Sequence, residues 1–223
     1  MIDIIIVPQG AEYQSVKKGL QTLKTQQPLI ISIPIGTKQI EKTLSDREFW
    51  QTKPKRVLMM GLCGSLSSQY SVGDTVLYHN CYSQKTSENL VADSQLNRII
   101  NQKINKIAND SVSGITSYRI ITSVKEKQQL AEKFTAKVVD MESFAYLKLL
   151  QEKAIAVSIL RVISDDLQSN LPNLEQTIDK EGNIRPIMMT QKMLKEPIKS
   201  LKFIKNSLKG LKQMQQITNK LFS

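Results

Sequence analysis

The sequence has one histidine, two cysteines and few aromatic residues, and each scarcity removes a class of chemistry. A lone His79 excludes a histidine-rich metal site, and no C-x-x-C pair is present to supply a thiolate one. A Ser-His-Asp or Cys-His mechanism would have to use His79, which sits at the end of an expected strand with no nucleophile motif beside it. Cys63 and Cys81 cannot build a disulfide framework, so a reduced, cytoplasmic setting is expected. Aromatics make up only 5% of the chain, too few for the stacking platforms that bind single-stranded nucleic acid. No helix-turn-helix, zinc or RNA-recognition signature appears, so no nucleic-acid partner is expected despite a net charge of +11. No run approaches the ~20 apolar residues that cross a bilayer. The apolar start, Met1–Val7, is too short for a signal sequence and has no basic flank. Repeats, low-complexity tracts and Pro/Gly/Ser linkers are also lacking, which predicts a single domain over residues 1–223.

What is present reads as a globular α/β protein. Hydrophobic residues are 40% of the 223 and charged residues 23%. Short β-branched runs predict strands at Met1–Val7, Leu29–Pro34, Arg56–Gly61, Thr75–His79, Tyr118–Ser123, Ala136–Val139 and Ala154–Ile163. Helices are expected at Ala11–Leu23, Ile40–Trp50, Ser94–Ala108, Lys125–Phe134 and Glu142–Glu152. This alternation predicts a three-layer α/β/α fold with a mixed, mainly parallel central sheet. Gln168–Met189, punctuated by Pro172, Gly182 and Pro186, reads as a loop long enough to cap something. A helical region over 190–222 follows, with a boundary or kink at Pro197.

Three segments put polar groups at the C-terminal ends of strands, where open α/β sheets bind ligands. Gly61-Leu62-Cys63-Gly64-Ser65-Leu66 follows an apolar strand and precedes Val72-Gly73-Asp74. Its glycines allow backbone amides to approach a ligand, or serve only a tight turn. Val138-Val139-Asp140-Met141-Glu142-Ser143 carries two carboxylates that are costly to bury unpaired. One could accept hydrogen bonds from a ribose diol. The alternative is that Asp140 caps a helix and Glu142 sits in its first turn. Arg161-Val162-Ile163-Ser164-Asp165-Asp166 ends the strongest apolar run. An acid there could have a raised pKa and donate a proton, or Ser164 or Asp165 could start a helix.

Together, GLCGSL…VGDTVL, VVDMES and RVISDD resemble the nucleoside phosphorylase family, which includes uridine and purine nucleoside phosphorylases and the methylthioadenosine/S-adenosylhomocysteine nucleosidases. The resemblance spans roughly Met1 to Asp166. The tail, through Leu171-Pro172 and Asp179–Pro186, is similar to the hopanoid-associated phosphorylase branch. The resemblance implies cleavage of the N-glycosidic bond of a purine nucleoside. In it, Asp165 matches the acid at purine N7, Glu142 the ribose-hydroxyl ligand and Met141 the residue packed under the sugar. Arg161 and Ser164 would position Asp165, Cys63 and Gly64 would lie beside the base, and Ile121 and Thr122 would offer it backbone contacts. Glu12 matches the nucleosidase residue that activates water. Positions that bind phosphate in the phosphorylases are Met59 and Leu62 here, which favours water as nucleophile, with Lys17 or Lys38 as substitute cations if phosphate is used. No metal or organic cofactor is implied, phosphate being at most a co-substrate, and a homo-oligomer is. The expected substrate is an adenine nucleoside with a 5′ substituent, which Leu62, the 168–189 loop and Phe144 would accommodate, unless Phe144 serves the core. A non-catalytic nucleoside sensor on the same fold is the competing reading.

The tail adds one more feature. Leu194, Ile198, Leu201, Ile204, Leu208, Leu211, Met214, Ile217 and Leu221 recur every three or four residues, predicting one apolar stripe packed on the sheet with lysines outside. The same pattern would suit a helix lying on an anionic membrane, useful for a lipid-linked adenosine such as adenosylhopane.

Overall fold

The computed structural model describes residues 2–21, 23, 27–36, 40, 47–104, 111–179 and 181–223. Its strands are β1 (Ile4–Pro8), β2 (Leu29–Ile33), β3 (Arg56–Ser65), β4 (Thr75–Ser83), β5 (Asn89–Val91), β6 (Val112–Thr116), β7 (Val138–Asp140) and β8 (Ala156–Asp165). Its helices are α1 (Ala11–Leu20), α2 (Arg47–Gln51), α3 (Ser94–Lys103), α4 (Val124–Phe134), α5 (Ser143–Gln151), α6 (Pro186–Lys195) and α7 (Pro197–Phe222).

β1 is buried at every residue because both its faces are covered, which is why it reads as an unbroken apolar run. Ile4 and Ile6 pack with Phe49, Tyr146, Leu147 and Leu150 on one side. Ile5 and Val7 pack with Val16, Leu20, Met214 and Leu221 on the other. Each such fully buried aliphatic side chain contributes ~1.5–3 kcal/mol relative to exposure.

The eight strands form one mixed sheet. β1 pairs in parallel with β2 and β3, β3 with β8, and β6 with both β4 and β7. The pairs β3–β7, β4–β5 and β4–β8 are antiparallel. In place of the stacked layers expected from the sequence, the path β3–β7–β6–β4–β8 returns to β3, so this part of the sheet closes like a barrel. One reason is the length of β3, which runs four residues past the predicted Gly61 and pairs Gly64 and Ser65 with Val139 and Val138 of β7. β8 closes the circuit by pairing Leu160, Arg161 and Val162 with Leu77, Val76 and Thr75 of β4 while its other edge pairs with β3.

Other differences have local causes. The predicted strand Tyr118–Ser123 is irregular backbone, and the strand lies just before it, at Val112–Thr116. The helix predicted over Ser94–Ala108 starts at Ser94, capped by Asp93 Oδ1 accepting the Leu96 N–H at 2.7 Å, and is regular to Lys103; residues 105–110 lie outside the described residues. Of the helix predicted over Ile40–Trp50, residues 41–46 also lie outside them. α4 opens on a capping-box sequence, with the Ser123 side chain accepting from Glu126 N–H, and this fixes where Lys127 emerges one residue later. Pro197 is a boundary: α6 ends at Lys195 and α7 begins at Pro197.

The predicted single stripe of the tail splits in two. Met214, Ile217 and Leu221 are buried, whereas Ile198, Leu201, Ile204 and Leu208 are exposed. The spacing explains it: from Leu208 the apolar residues fall at steps of three, through Leu211 and Met214 to Ile217. Each such step is about 60° short of a turn, so the stripe winds from the solvent side to the sheet side.

Candidate active site

The ends of β3, β7 and β8 converge with the N-terminus of α1 around a cavity of about 220 Å³. A register shift in the β3–β8 pairing between Cys63 and Gly64 brings Asp165, rather than Ser164, opposite Gly64. β7 then delivers Asp140, and the chain turns at Met141 into α5. Four carboxylates drawn from three separated parts of the chain line the cavity: Glu12, Asp140, Glu142 and Asp165.

Glu12 accepts the Leu62 N–H through Oε1 at 2.6 Å. Enclosure of its carboxyl group, reinforced by the negative charge of Glu142, pushes its pKa up to about 7. Glu142 accepts the Gly36 N–H at 2.8 Å, and its other oxygen lies 3.4 Å from Arg161 Nη2. Burial raises its pKa, opposed by Arg161. Asp165 is likewise raised by burial and held down by Lys127, a wholly buried lysine that pairs with Asp165 Oδ2 and donates to the Asp166 carbonyl at 2.9 Å. Ser164 donates to the Cys63 carbonyl at 3.3 Å and lies 3.4 Å from Asp165 Oδ1.

Asp140 has a different job. It accepts the N–H groups of Glu142 and Ser143 at 3.1 and 3.0 Å, the Tyr78 hydroxyl at 3.0 Å and the Thr116 hydroxyl at 2.8 Å. It also lies 3.3 Å from Arg161 Nε. The capping alternative thus holds for Asp140, although Asp140 and Glu142 both border the cavity. Capping does not hold for Ser164 or Asp165, since they end β8 and no helix follows before Pro186. Arg161 is fully buried beneath the site; burial works against its charge, but Asp140 and Glu142 keep it charged. Its Nη1 has no hydrogen-bond partner among the described residues. A Cβ on Gly61 would lie 2.0 Å from that atom and 3.0 Å from Glu12 Oε1, so only glycine lets Arg161 and Glu12 meet there.

Of the residues singled out from the sequence, Glu12, Cys63, Gly64, Ile121, Met141, Glu142, Ser164 and Asp165 line the cavity. Arg161 supports it from below, and Thr122 does not line it; its carbonyl accepts the N–H of Leu171. Phe144 belongs to the core, which decides between the two roles the sequence left open for it. Leu62 does line the cavity, and Met59 is buried in the core. Lys17 is exposed on α1 and Lys38 lies outside the described residues. The 168–189 loop roofs the cavity with Leu171, Leu174, Ile178 and Ile184, joined by Met189 and Phe203 from α6 and α7.

Sequence reasoning missed Lys127, Phe203 and Arg119, the last lining the cavity while paired with Glu126. Lys127 sits mid-helix among other lysines, and only its burial sets it apart. A larger hollow of about 520 Å³, lined by His79, Arg98 and Asn101 among others, has no carboxylate among the described residues that line it. Cys63 and Cys81 are free and buried, and burial pushes the Cys63 thiol up, away from the reactive thiolate. Among the described residues no group of three or more His, Cys, Asp or Glu is arranged to hold a metal ion.

The cavity thus has carboxylates at one end and an apolar roof at the other. The chain belongs to the phosphorylase superfamily, whose family model matches residues 14–185. Compared by sequence with curated proteins, the chain matches none. Its fold is similar to that of futalosine hydrolase from Helicobacter pylori, with a TM-score of 0.61 and 16% identity over 92% of this chain and 96% of that one. It is also similar to 5′-methylthioadenosine/S-adenosylhomocysteine nucleosidases. The Helicobacter pylori enzyme gives a TM-score of 0.62 at 17% identity, covering 92% of this chain and 96% of that one. The Campylobacter jejuni enzyme gives 0.61 at 14%, covering 96% and 99%.

Proposed function

We propose that this protein cleaves the N-glycosidic bond of an adenine nucleoside bearing an apolar 5′ substituent, with water as the nucleophile. The observation that carries the reading is the meeting of Glu12, Glu142 and Asp165, each with a raised pKa, around one small cavity. Breaking the C1′–N9 bond leaves positive charge on the sugar and negative charge on the base. Asp165 supplies a proton or hydrogen bond to N7, an effect worth roughly 10²–10⁴-fold in rate. Glu142 accepts hydrogen bonds from the ribose hydroxyls, and Met141 packs beneath the ring, which fixes the sugar for attack. Glu12 takes the proton from water as it adds to C1′. A base with a pKa of about 7 suits that task at neutral pH. The unpartnered Nη1 of Arg161, close to Glu12, is a donor for the attacking oxygen.

Water is favoured over phosphate because the cavity carries Leu62 where an anion ligand would be needed, and Arg119, the one cation among the described residues that line it, is already paired with Glu126. The apolar roof formed by Leu171, Leu174, Ile178, Ile184 and Phe203 supports an apolar group at the 5′ end. One of the similar structures bears on this reading by what it contains. One nucleosidase from Helicobacter pylori was solved with 5′-methylthioadenosine in its active site, at a TM-score of 0.64 and 16% identity. The test is chromatographic detection of free adenine from adenosine and from a 5′-alkylthio-adenosine. The wild-type chain should release it faster from the second, and Asp165→Asn should release almost none. Equal rates for wild type and Asp165→Asn would overturn the reading.

A further inference from the structure

The tail carries a surface that the chemistry above does not use. α6 has no buried residue, and Ile187 and Leu194 on it are 77% and 75% exposed. On the first half of α7, Ile198, Leu201 and Leu208 are 84%, 69% and 61% exposed. With Ile204, these α7 side chains fall within an arc of about 120° at 100° per residue. The same helix buries Ser200, Gly210, Met214, Ile217 and Leu221 on its opposite side. So large an apolar surface is unusual on a lone soluble chain and marks a place where something binds.

The charge around it selects what. Residues 186–223 hold eight lysines and a single acid, Glu196, and so account for seven of the chain's eleven net positive charges. Lys202, Lys205, Lys209 and Lys212 are exposed and project from the same half of α7 as the apolar residues. Lys199 is paired with Glu196, and Lys202 lies 3.9 Å from Asp166. Lys205, Lys209 and Lys212 have no acidic partner among the described residues. A second copy seated on this face by a two-fold axis would set these lysines against each other. A nucleic acid would leave the isoleucines and leucines in water. An anionic bilayer satisfies both, with apolar side chains in the acyl boundary and lysine heads among the phosphates.

We propose that α6 and the first half of α7 form a docking surface for an anionic lipid membrane. Among the described residues no helix is long and apolar enough to cross one, so attachment is peripheral. Met189 and Phe203, from the same two helices, line the catalytic cavity, so docking brings the roof of the cavity to the bilayer.

The test is co-sedimentation of the full chain with phosphatidylcholine vesicles, prepared with and without phosphatidylglycerol. Binding should require phosphatidylglycerol and fall as salt is added. Lys205→Glu/Lys209→Glu should weaken it on the order of tenfold or more, as should Ile198→Asp/Leu201→Asp, with melting temperatures unchanged because all four side chains are exposed. Absence of binding to phosphatidylglycerol vesicles would overturn the proposal. So would binding that both variants leave intact. Light scattering that shows a dimer dissolved by Ile198→Asp/Leu201→Asp would assign the face to a second copy instead. Vesicle binding and adenine release are separate readouts, so each can fail without the other.

Discussion

Glu12→Gln should make the protein more stable and less active at once, in amounts that depend on pH. The carboxyl group of Glu12 is pushed from its ordinary 4.5 to about 7, chiefly by loss of water and secondly by Glu142. Below pH 4.5 it is protonated in both the folded and unfolded chain, and it costs nothing. Between 4.5 and 7 the unfolded chain releases the proton while the folded chain keeps it, so stability falls as pH rises. Above 7 the loss is complete, at about 3 kcal/mol from the displacement of the pKa. Glutamine has no proton to release, and its carbonyl can still accept the Leu62 N–H that Glu12 now takes at 2.6 Å. At pH 8 the variant should therefore melt about 5–10 °C above the wild type, and at pH 4.5 the two should coincide. Thermal unfolding followed by circular dichroism across that range measures both. The same variant should lose on the order of 10²–10⁴ in turnover, because no base remains to take the proton from water. A variant less stable than wild type at pH 8, or a gap that does not vary with pH, would refute the reasoning.

Three further perturbations probe neighbouring parts of the site. Asp165→Asn keeps the shape of the side chain but not its proton. Calorimetry should show nucleoside binding nearly unchanged, while base release falls by about 10²–10⁴-fold. Lys127→Met removes the cation that holds Asp165 down, so Asp165 keeps its proton to higher pH. The alkaline limb of the kcat/KM profile should move upward in pH, and a limb that stays in place would show that Lys127 does not act on Asp165. Gly61→Ala puts a methyl group 2.0 Å from Arg161 Nη1 and forces the guanidinium off its two carboxylates. Breaking that buried cluster should cost about 3–5 kcal/mol, read from urea unfolding.

Glu142 and Asp165 were legible in the sequence because each lies at or just after a strand end, where polar residues interrupt an apolar run. Glu12, in the first turn of α1, was reached only through the family resemblance, and all three line one cavity. What was not legible depends on contacts between distant residues. Val112–Thr116 makes a poor strand signal because Gly114 interrupts it, yet a Cβ there would lie 2.1 Å from the ring of Tyr78, on β4. Tyr118–Ser123 makes a good strand signal, but Ile120 and Ile121 are apolar because they line the cavity. An apolar run facing a ligand looks the same as one facing a core. Closure of the sheet was hidden for a related reason: it needs the end of β3, whose Gly64 and Ser65 pair with β7 and are not β-branched, and a second partner for β8 that no run of residues announces. The winding of the α7 stripe was present in the spacing. Steps of three and steps of four look alike in a list of apolar positions, but they rotate in opposite senses around a helix.

The central claim is that this carboxylate-lined cavity splits a purine nucleoside with water. The most direct measurement is release of free adenine from adenosine and a 5′-alkylthio-adenosine, in parallel phosphate-free and phosphate-containing buffers, with the sugar product identified alongside. The account predicts release without phosphate, a free sugar as co-product, and no acceleration when phosphate is added. Release only in phosphate, with the sugar recovered as its 1-phosphate, would contradict the role given to Glu12, and no release in either buffer would contradict the activity itself.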